Sequence, residues 1–341
     1  MLTVWRAQYE WLRIGASVPQ QQIIRDFGRA RAKALKDVLA RLPIRKRTRM
    51  PGFKKKGQAP PTLNYTRRGF RLDGATLFLA KDITVRPVWS RQLPSQPSSV
   101  RIFRDSLGHW YASFVVETLP QLLPSTGKAV GIDWGVAELA TTTSDAHDLS
   151  HPEHGRRGAV KLARYQRMMA RRRRGRGVPL SAGYRKARRL AARQHKKVAR
   201  QRRDTARKWA KGIARDFDQV AVEDFRPKFL SKTTMARKSA DAAIGVAKSA
   251  LVEVCRKYDR RVVLVDPKYT TMDCGHCGVR TTHRLPLSER TYACTACGVV
   301  SARDKNSARV MLIRAGFLPA GADRTSPGLS LSDTGSVSQE S

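Results

Sequence analysis

The stretch CGHCGVRTTHRLPLSERTYACTACGVVSARDKNSARVML, residues 274–312, carries two chemistries in one run. Its cysteines Cys274, Cys277, Cys294 and Cys297 follow the spacing C-x2-C-x16-C-x2-C, and Asp304 comes seven positions after the last. Gly278 and Gly298 follow the two pairs, so each pair can close a tight knuckle that presents two thiolates. Two knuckles complete a tetrahedral shell for Zn2+ with no position open, which makes the site structural. A redox dithiol is the competing reading, and two pairs at ribbon spacing argue against it. His276 and His283 are not needed as ligands.

Behind the ribbon, SARDKNSARVMLIRAG predicts a helix with Ser301 as N-cap and Gly316 as stop. Asp304 falls in its first turn, where the positive helix end favours an ionised carboxylate. A lone acid there requires no further role. Two other acids change this. Asp133 closes or follows the buried strand AVGI, and Glu223 closes the buried strand QVAV, with Asp224 beside it. In α/β sheets, ligand and catalytic groups gather beyond the carboxyl ends of strands. Three carboxylates meeting there would hold two divalent cations, Mg2+ or Mn2+, and hydrolyse a phosphodiester. Adjacent strand residues face opposite ways, so only one of Glu223 and Asp224 points into such a site. The pattern alone does not choose between them.

Charge names the partner class. The 341 residues hold 67 Lys+Arg against 27 Asp+Glu, a formal net charge of +40. An excess of this size repels itself unless a polyanion neutralises it. It is concentrated between Arg156 and Lys211, where 23 Lys or Arg accompany a single acid, Asp204. An exposed helix tolerates charges when acids lie four residues away, and here those acids are missing. Two helices broken at GRGVPLSAG and laid on a phosphate backbone account for this better than a solvated face does. Arg171, Arg172, Arg173, Arg174, Arg188, Arg189, Lys196 and Lys197 are the candidate nucleic-acid contacts.

The rest of the chain supplies the frame. SVPQQQIIRDFGRARAKALKDVLARL predicts a helix opened by a Ser17/Gln20 capping box, with Ile23, Phe27, Ala30, Ala34, Val38 and Leu42 as one apolar stripe. From about Pro51 short runs alternate with period two, and Gly74 and Gly108 stand where hairpins would turn, which suggests a small barrel. AVGIDWGVAELATTT reads as two buried strands around a glycine turn. SADAAIGVAKSALVEVCRKY reads as one helix capped by Ser239, with Cys255 a buried hydrophobe. RRVVLVDP is a further buried strand. After Leu318 the chain is polar and rich in Pro, Gly and Ser, the composition of a disordered tail. No run approaches the ~18 apolar residues of a membrane span, and the N-terminus lacks a secretory signal, so a cytoplasmic protein without membrane partners is expected.

The combination GIDWGVAELAT, VAVEDF, the four-cysteine ribbon and RDKNSA resembles the TnpB family, the transposon-encoded RNA-guided nucleases related to compact type V CRISPR effectors. The resemblance runs from the first helices to about Leu318. Its most specific part is the order: Asp in G-I-D-x-G, Glu in V-E-D, the ribbon, then Asp in R-D-x-N. It implies that Asp133, Glu223 and Asp304 are a RuvC-like catalytic triad binding magnesium, and that Asp224 faces away.

The implied fold is multidomain α/β. A recognition-lobe helical segment (1–49) and a wedge-like β-barrel (50–126) precede a ribonuclease H-like (RuvC) nuclease domain (127–318). That domain carries a basic helical insert (156–215) and a zinc ribbon (270–300), and a tail (319–341) follows. Guide RNA and target DNA are the implied partners, with a monomer favoured. The sequence departs from the pattern at Ser307, where the family usually has Ala. Family members also carry a first wedge strand and more recognition helices upstream, so the lobe reads as incomplete.

Three other functions compete. A nuclease-inactive or truncated guided DNA-binding protein, accessory to transposition, would usually have lost one acid of the triad. A DDE transposase would order its acids Asp, Asp, Glu. A ribosomal or transcriptional zinc-ribbon protein would not need the strand-end acids.

Overall fold

The structure, a computed structural model, describes residues 2–52, 60–175, 177–225, 233–282, 285–286 and 288–317. The tail expected at 319–341 lies outside the described residues, as does His283. The chain divides into two compact units, one of Met1–Leu119 with Arg171–Arg193, the other of Pro120–Ala170 with Gln194–Ser341.

The first unit opens with helices α1 (Leu2–Gln8), α2 (Glu10–Ile14) and α3 (Ser17–Leu39). The Ser17/Gln20 capping box does not form: the N-cap is Ala16, with no side-chain bond. Gln20 is engaged elsewhere, donating to the Leu12 carbonyl (2.8 Å) and accepting from the Arg6 guanidinium (2.6 Å), so it ties α3 to the helices before it. The predicted stripe exists as a pattern, but only its Ala34 is buried, while Ile23, Phe27 and Val38 remain exposed.

Strands β1 (Thr62–Thr66), β2 (Phe70–Asp73), β3 (Thr76–Leu79), β4 (Ile83–Val85), β5 (Ser99–Arg104) and β6 (Trp110–Val115) follow. They are hydrogen-bonded as two three-stranded sheets, β1-β5-β6 and β2-β3-β4, rather than as one continuously paired barrel. Alternation buries Tyr65, Leu77, Leu79 and Val100 in a shared core. Gly74 and Gly108 turn the hairpins with φ of +54° and +89°, a region open to glycine.

In the second unit, β7 (Ala129–Trp134), β8 (Glu138–Thr142) and β9 (Leu149–Ser150) form an antiparallel meander. Helices α4 (His154–Arg171) and α5 (Ala182–Asp216) come next in the chain, then β10 (Gln219–Glu223). The helix predicted as one is two, α6 (Ala236–Ala242) and α7 (Ile244–Lys257), broken at Ala243, whose φ is +56°. Ser239 is accordingly buried inside α6 and caps nothing. The neighbouring Asp241 instead accepts the Gly155 and Arg156 amides (2.6 and 2.8 Å) and thereby caps α4 from a distance.

Strand β11 (Arg261–Val265) completes a five-stranded sheet in the order β11-β10-β7-β8-β9, with β10 parallel to both β7 and β11. The hairpin β12 (Thr291–Ala293) and β13 (Val300–Ala302) belongs to the cysteine-rich segment and leads into α8 (Arg303–Arg314). Ser301, the expected cap, lies in β13, and the N-cap is Ala302.

The sheet is covered on both faces, as its near-continuous apolar strands require. Val130, Ile132, Val220 and Val222 pack on one face against Ala210, Ile213, Leu251 and Val254 of α5 and α7. Ala221 and Val265 pack on the other against Met311 and Leu312 of α8. Among the described residues no helix is long and apolar enough to cross a membrane.

Candidate active site and metal centre

Strand parity decides where the acids go. In the parallel pair β7–β10, Ile132 is level with Val222, so Asp133 and Glu223 come next on neighbouring strands. Because Ile132 and Val222 face α5 and α7, Asp133 and Glu223 face α8. That helix lies very close to β7: a Cβ built on Gly131 would stand 1.9 Å from the Ala308 carbonyl oxygen. Two strand residues advance ~6.6 Å and four helix residues ~6 Å. Asp304, four residues before Ala308, is therefore brought level with Asp133, two residues beyond Gly131.

All three acids line one cleft of about 1110 Å³, bordered also by Lys238, Lys268, Tyr269 and Arg290. Asp133 and Glu223 share a hydrogen bond. Burial first, then the charges of Glu223 and Asp304, push the Asp133 carboxyl well above the ordinary range. Burial carries Glu223 up to about 7, against the opposing hydrogen bond from the Trp134 amide. That amide donates to Glu223 Oε2 (3.4 Å), while the Trp134 indole N–H donates to the Glu223 carbonyl (3.2 Å), so one tryptophan orients the acid twice. Asp304 is more open, with Arg290 at 3.8 Å from its Oδ2. Asp133 and Glu223, which burial makes costly to ionise without a counter-charge, form with the neighbouring Asp304 a donor set suited to cations.

Asp224 takes the other direction. Its carboxylate pairs with Lys248 of α7, on the face opposite α8, although it too borders the cleft.

The thiols form a much tighter set. The ligand atoms of Cys274, Cys277, Cys294 and Cys297 all lie within 4.8 Å of one another, and no second such group of His, Cys, Asp or Glu occurs among the described residues. Cys274–Cys297 and Cys277–Cys294 are 3.8 and 3.6 Å apart. Four metal–sulfur bonds of ~2.3 Å at tetrahedral angles give sulfur–sulfur edges of ~3.8 Å, so the residues fit Zn2+. The knuckles are alike: the Cys274 and Cys294 amides donate to the Val279 and Val299 carbonyls, both at 2.9 Å. Gly278 and Gly298 turn with φ of +76° and +71°. Cys255 is apart, its buried thiol pushed up to about 12.

Sequence reading missed the residues that join the two sites. Asn306 is buried on the first turns of α8; its Oδ1 accepts the Gly275 amide (2.8 Å) and its Nδ2 donates to the Asp273 carbonyl (2.7 Å). Arg303 reaches the ribbon's other half, with its guanidinium donating to the Pro286 carbonyl (2.8 Å). Lys305 anchors the same turn to the sheet by donating to the Thr142 carbonyl (2.9 Å) and pairing with Asp148 (2.7 Å). The alternation R-D-K-N was the available signal: Arg303, Lys305 and Asn306 fix the turn that carries Asp304. The departure at Ser307 is accommodated in full burial, its hydroxyl 3.5 Å from the Thr270 carbonyl.

Of the candidate contacts, Arg171–Arg174, Arg188, Arg189 and Lys197 are exposed and Lys196 is half-buried.

A family model described as a probable transposase (OrfB_IS605) matches residues 113–233, and one described as a Cas12f1-like TNB domain matches residues 247–311. A Streptomyces pristinaespiralis protein named as an RNA-guided DNA endonuclease is 34% identical over 350 residues, covering 99% of this chain and 82% of its own. The chain belongs to the TnpB family. A second relative, InsQ of Escherichia coli (strain K12), also named as an RNA-guided DNA endonuclease, is 29% identical over 332 residues, 91% of this chain and 78% of its own. A looser likeness, with a TM-score of 0.47 and 15% identity, is to a solved Cas12f1–sgRNA–target DNA complex; it covers 81% of this chain and 67% of that one.

Proposed function

We propose that the protein is an RNA-guided DNA endonuclease of a transposable element, hydrolysing DNA phosphodiesters with Asp133, Glu223 and Asp304. The observation that carries this reading is the convergence of those three carboxylates in one cleft, in a chain whose relatives are named for that activity. The strand order supports a ribonuclease H-like (RuvC) domain, because an antiparallel meander extended by two parallel strands sets its first and fourth strands side by side. On this reading the two-sheet region serves as the wedge and the opening helices as part of a recognition lobe.

Mg2+ or Mn2+ bound at the triad would supply an activated water and neutralise the departing 3′-oxygen. The chain's own part is to present the ligands and hold them still. Trp134 fixes Glu223, the close packing at Gly131 fixes the depth of α8, and Asn306, Arg303 and Lys305 fix the turn bearing Asp304. Lys238, Lys268 and Arg290 bring positive charge to the cleft, which offsets the repulsion between a phosphate and three acids. Zn2+ on the four thiolates would be structural, since they fill its coordination shell.

The exposed arginines of the α4–α5 region supply sequence-independent backbone contacts, and base pairing to a guide supplies recognition. The test is to express the protein with its downstream DNA, sequence the RNA that co-purifies, and assay cleavage of a matching duplex. A discrete RNA and guided, divalent-ion-dependent cutting are expected. Random RNA fragments and no guided cutting would defeat the reading.

A further inference from the structure

Tyr269 stands out because its backbone is in a conformation that bulky residues avoid. Its φ is +64°, in the left-handed region where a Cβ meets the following carbonyl. Such outliers persist only where their surroundings enforce them, and they collect at functional sites. Here the enforcement is visible. The Tyr269 carbonyl accepts the amides of Met272 and Asp273 (2.9 and 3.0 Å). Arg314 of α8 donates to the carbonyls of Asp266 (3.0 Å) and Lys268 (2.7 Å), pinning the turn from below.

The result of this arrangement is a presented ring. Tyr269 remains 42% exposed, yet it lines the cleft that holds Asp133, Glu223 and Asp304. The Arg280 guanidinium lies 4.3 Å from the ring centroid and is itself held by Asp273 (2.6 and 3.2 Å). The Lys268 ammonium lies 4.9 Å from the same centroid. A ring needed only as core would be buried, and a turn needing only its backbone would relax with glycine. Both cations lie over the ring, so a base that stacks there takes the place of the Lys268 ammonium and leaves it to the adjoining phosphate, while Arg280 stays tied to Asp273.

We propose that Tyr269 is the platform on which an unpaired nucleobase of the DNA strand stacks while a neighbouring phosphate lies at the three carboxylates. This rests on the nuclease reading of the cleft. A paired base has its faces covered by its stack, so the platform selects a strand that has been opened.

The test exploits the strain. Tyr269→Gly is expected to leave the melting temperature unchanged or raised, because glycine adopts this φ freely, while removing the ring. It should raise KM for cleavage of a single-stranded oligonucleotide by roughly 5- to 150-fold, the range for one lost base stack, with a smaller change in kcat. Tyr269→Trp should restore KM and Tyr269→Leu should not; equal rescue by Leu would mean bulk alone matters and would overturn the proposal.

A readout free of turnover accompanies these. The full chain, irradiated with a 5-iodouracil-substituted single strand in EDTA, should cross-link at Tyr269. No cross-link there, with unchanged KM in Tyr269→Gly, overturns the platform. Asp133→Ala separates the two layers. If it abolishes cutting while Tyr269→Gly behaves as wild type, the nuclease reading stands and the platform falls. If it cuts normally, the nuclease reading falls first.

Discussion

The cysteine cluster and the carboxylate cluster, the two proposed ligand sets, are built in opposite ways. The four thiols come from two local knuckles within one 24-residue span, each closed by its own amides and glycine. The three acids come from β7, β10 and α8, far apart in the chain, and meet only because a parallel pairing and one helix crossing bring them there. A locally coded site gives its geometry away in its spacing. A site assembled by tertiary packing is only as precise as that packing.

The largest expected effect divides the two clusters by function. Asp133→Ala, Glu223→Ala or Asp304→Ala should each lower cleavage by about a thousandfold or more, since each removes a ligand made by no other residue. Zinc content by mass spectrometry and RNA affinity should stay at wild-type levels. Residual cutting at full rate in any of the three would remove that acid from the site.

Cys294→Ser asks whether the clusters are separable at all. A closed thiolate site contributes folding energy directly, so less than one zinc per chain and a lower melting temperature are expected. The Asn306 and Arg303 contacts then carry the damage to the turn bearing Asp304, and cleavage should fall by about 10- to 100-fold. Normal cutting by zinc-free protein would show that α8 holds Asp304 without the ribbon.

Gly131→Ala disturbs only the assembled site. The added methyl would need the space of the Ala308 carbonyl, so α8 must move or β7 must bend. Overpacking of this kind costs about 1–3 kcal/mol, which calorimetry would record as a drop of several degrees. A shift of α8 by even ~1 Å should cost up to about a hundredfold in cleavage with zinc retained.

The same contrast explains what could be read in advance. Cysteine spacing and the buried strands were legible because each depends on local pattern, whereas Glu223 was preferred to Asp224, and the three acids were read as one set, only through the family resemblance. The depth at which α8 sits was not legible, since it depends on a glycine meeting a carbonyl some 177 positions away. Ser17 and Ser301 had the chemistry of caps, but Gln20 was drawn to Leu12 and Ser301 was taken into β13. The break at Ala243 had no signal in composition, as alanine is the residue least suited to mark one. The α3 stripe shows the reverse error: helical periodicity fixes a face without saying what covers it.

The smallest expected effect is the sharpest test of strand parity. Asp224 is chemically the equal of Glu223 and its chain neighbour, and only the alternation of the strand end separates them. Its carboxylate goes to Lys248 of α7, away from α8. Asp224→Asn therefore removes no ligand from the proposed triad. It does remove a partly exposed ion pair, worth about 0.5–1 kcal/mol, so a loss of a few degrees in melting temperature is expected. It also removes a negative charge that raises Glu223, which leaves Glu223 easier to ionise. Cleavage at neutral pH should accordingly stay within about threefold of wild type, measured with the same guide and duplex as Glu223→Gln. A dead Asp224→Asn beside an active Glu223→Gln would mean that β10 presents the opposite face to α8, and the pairing that puts Glu223 level with Asp133 would have to be abandoned.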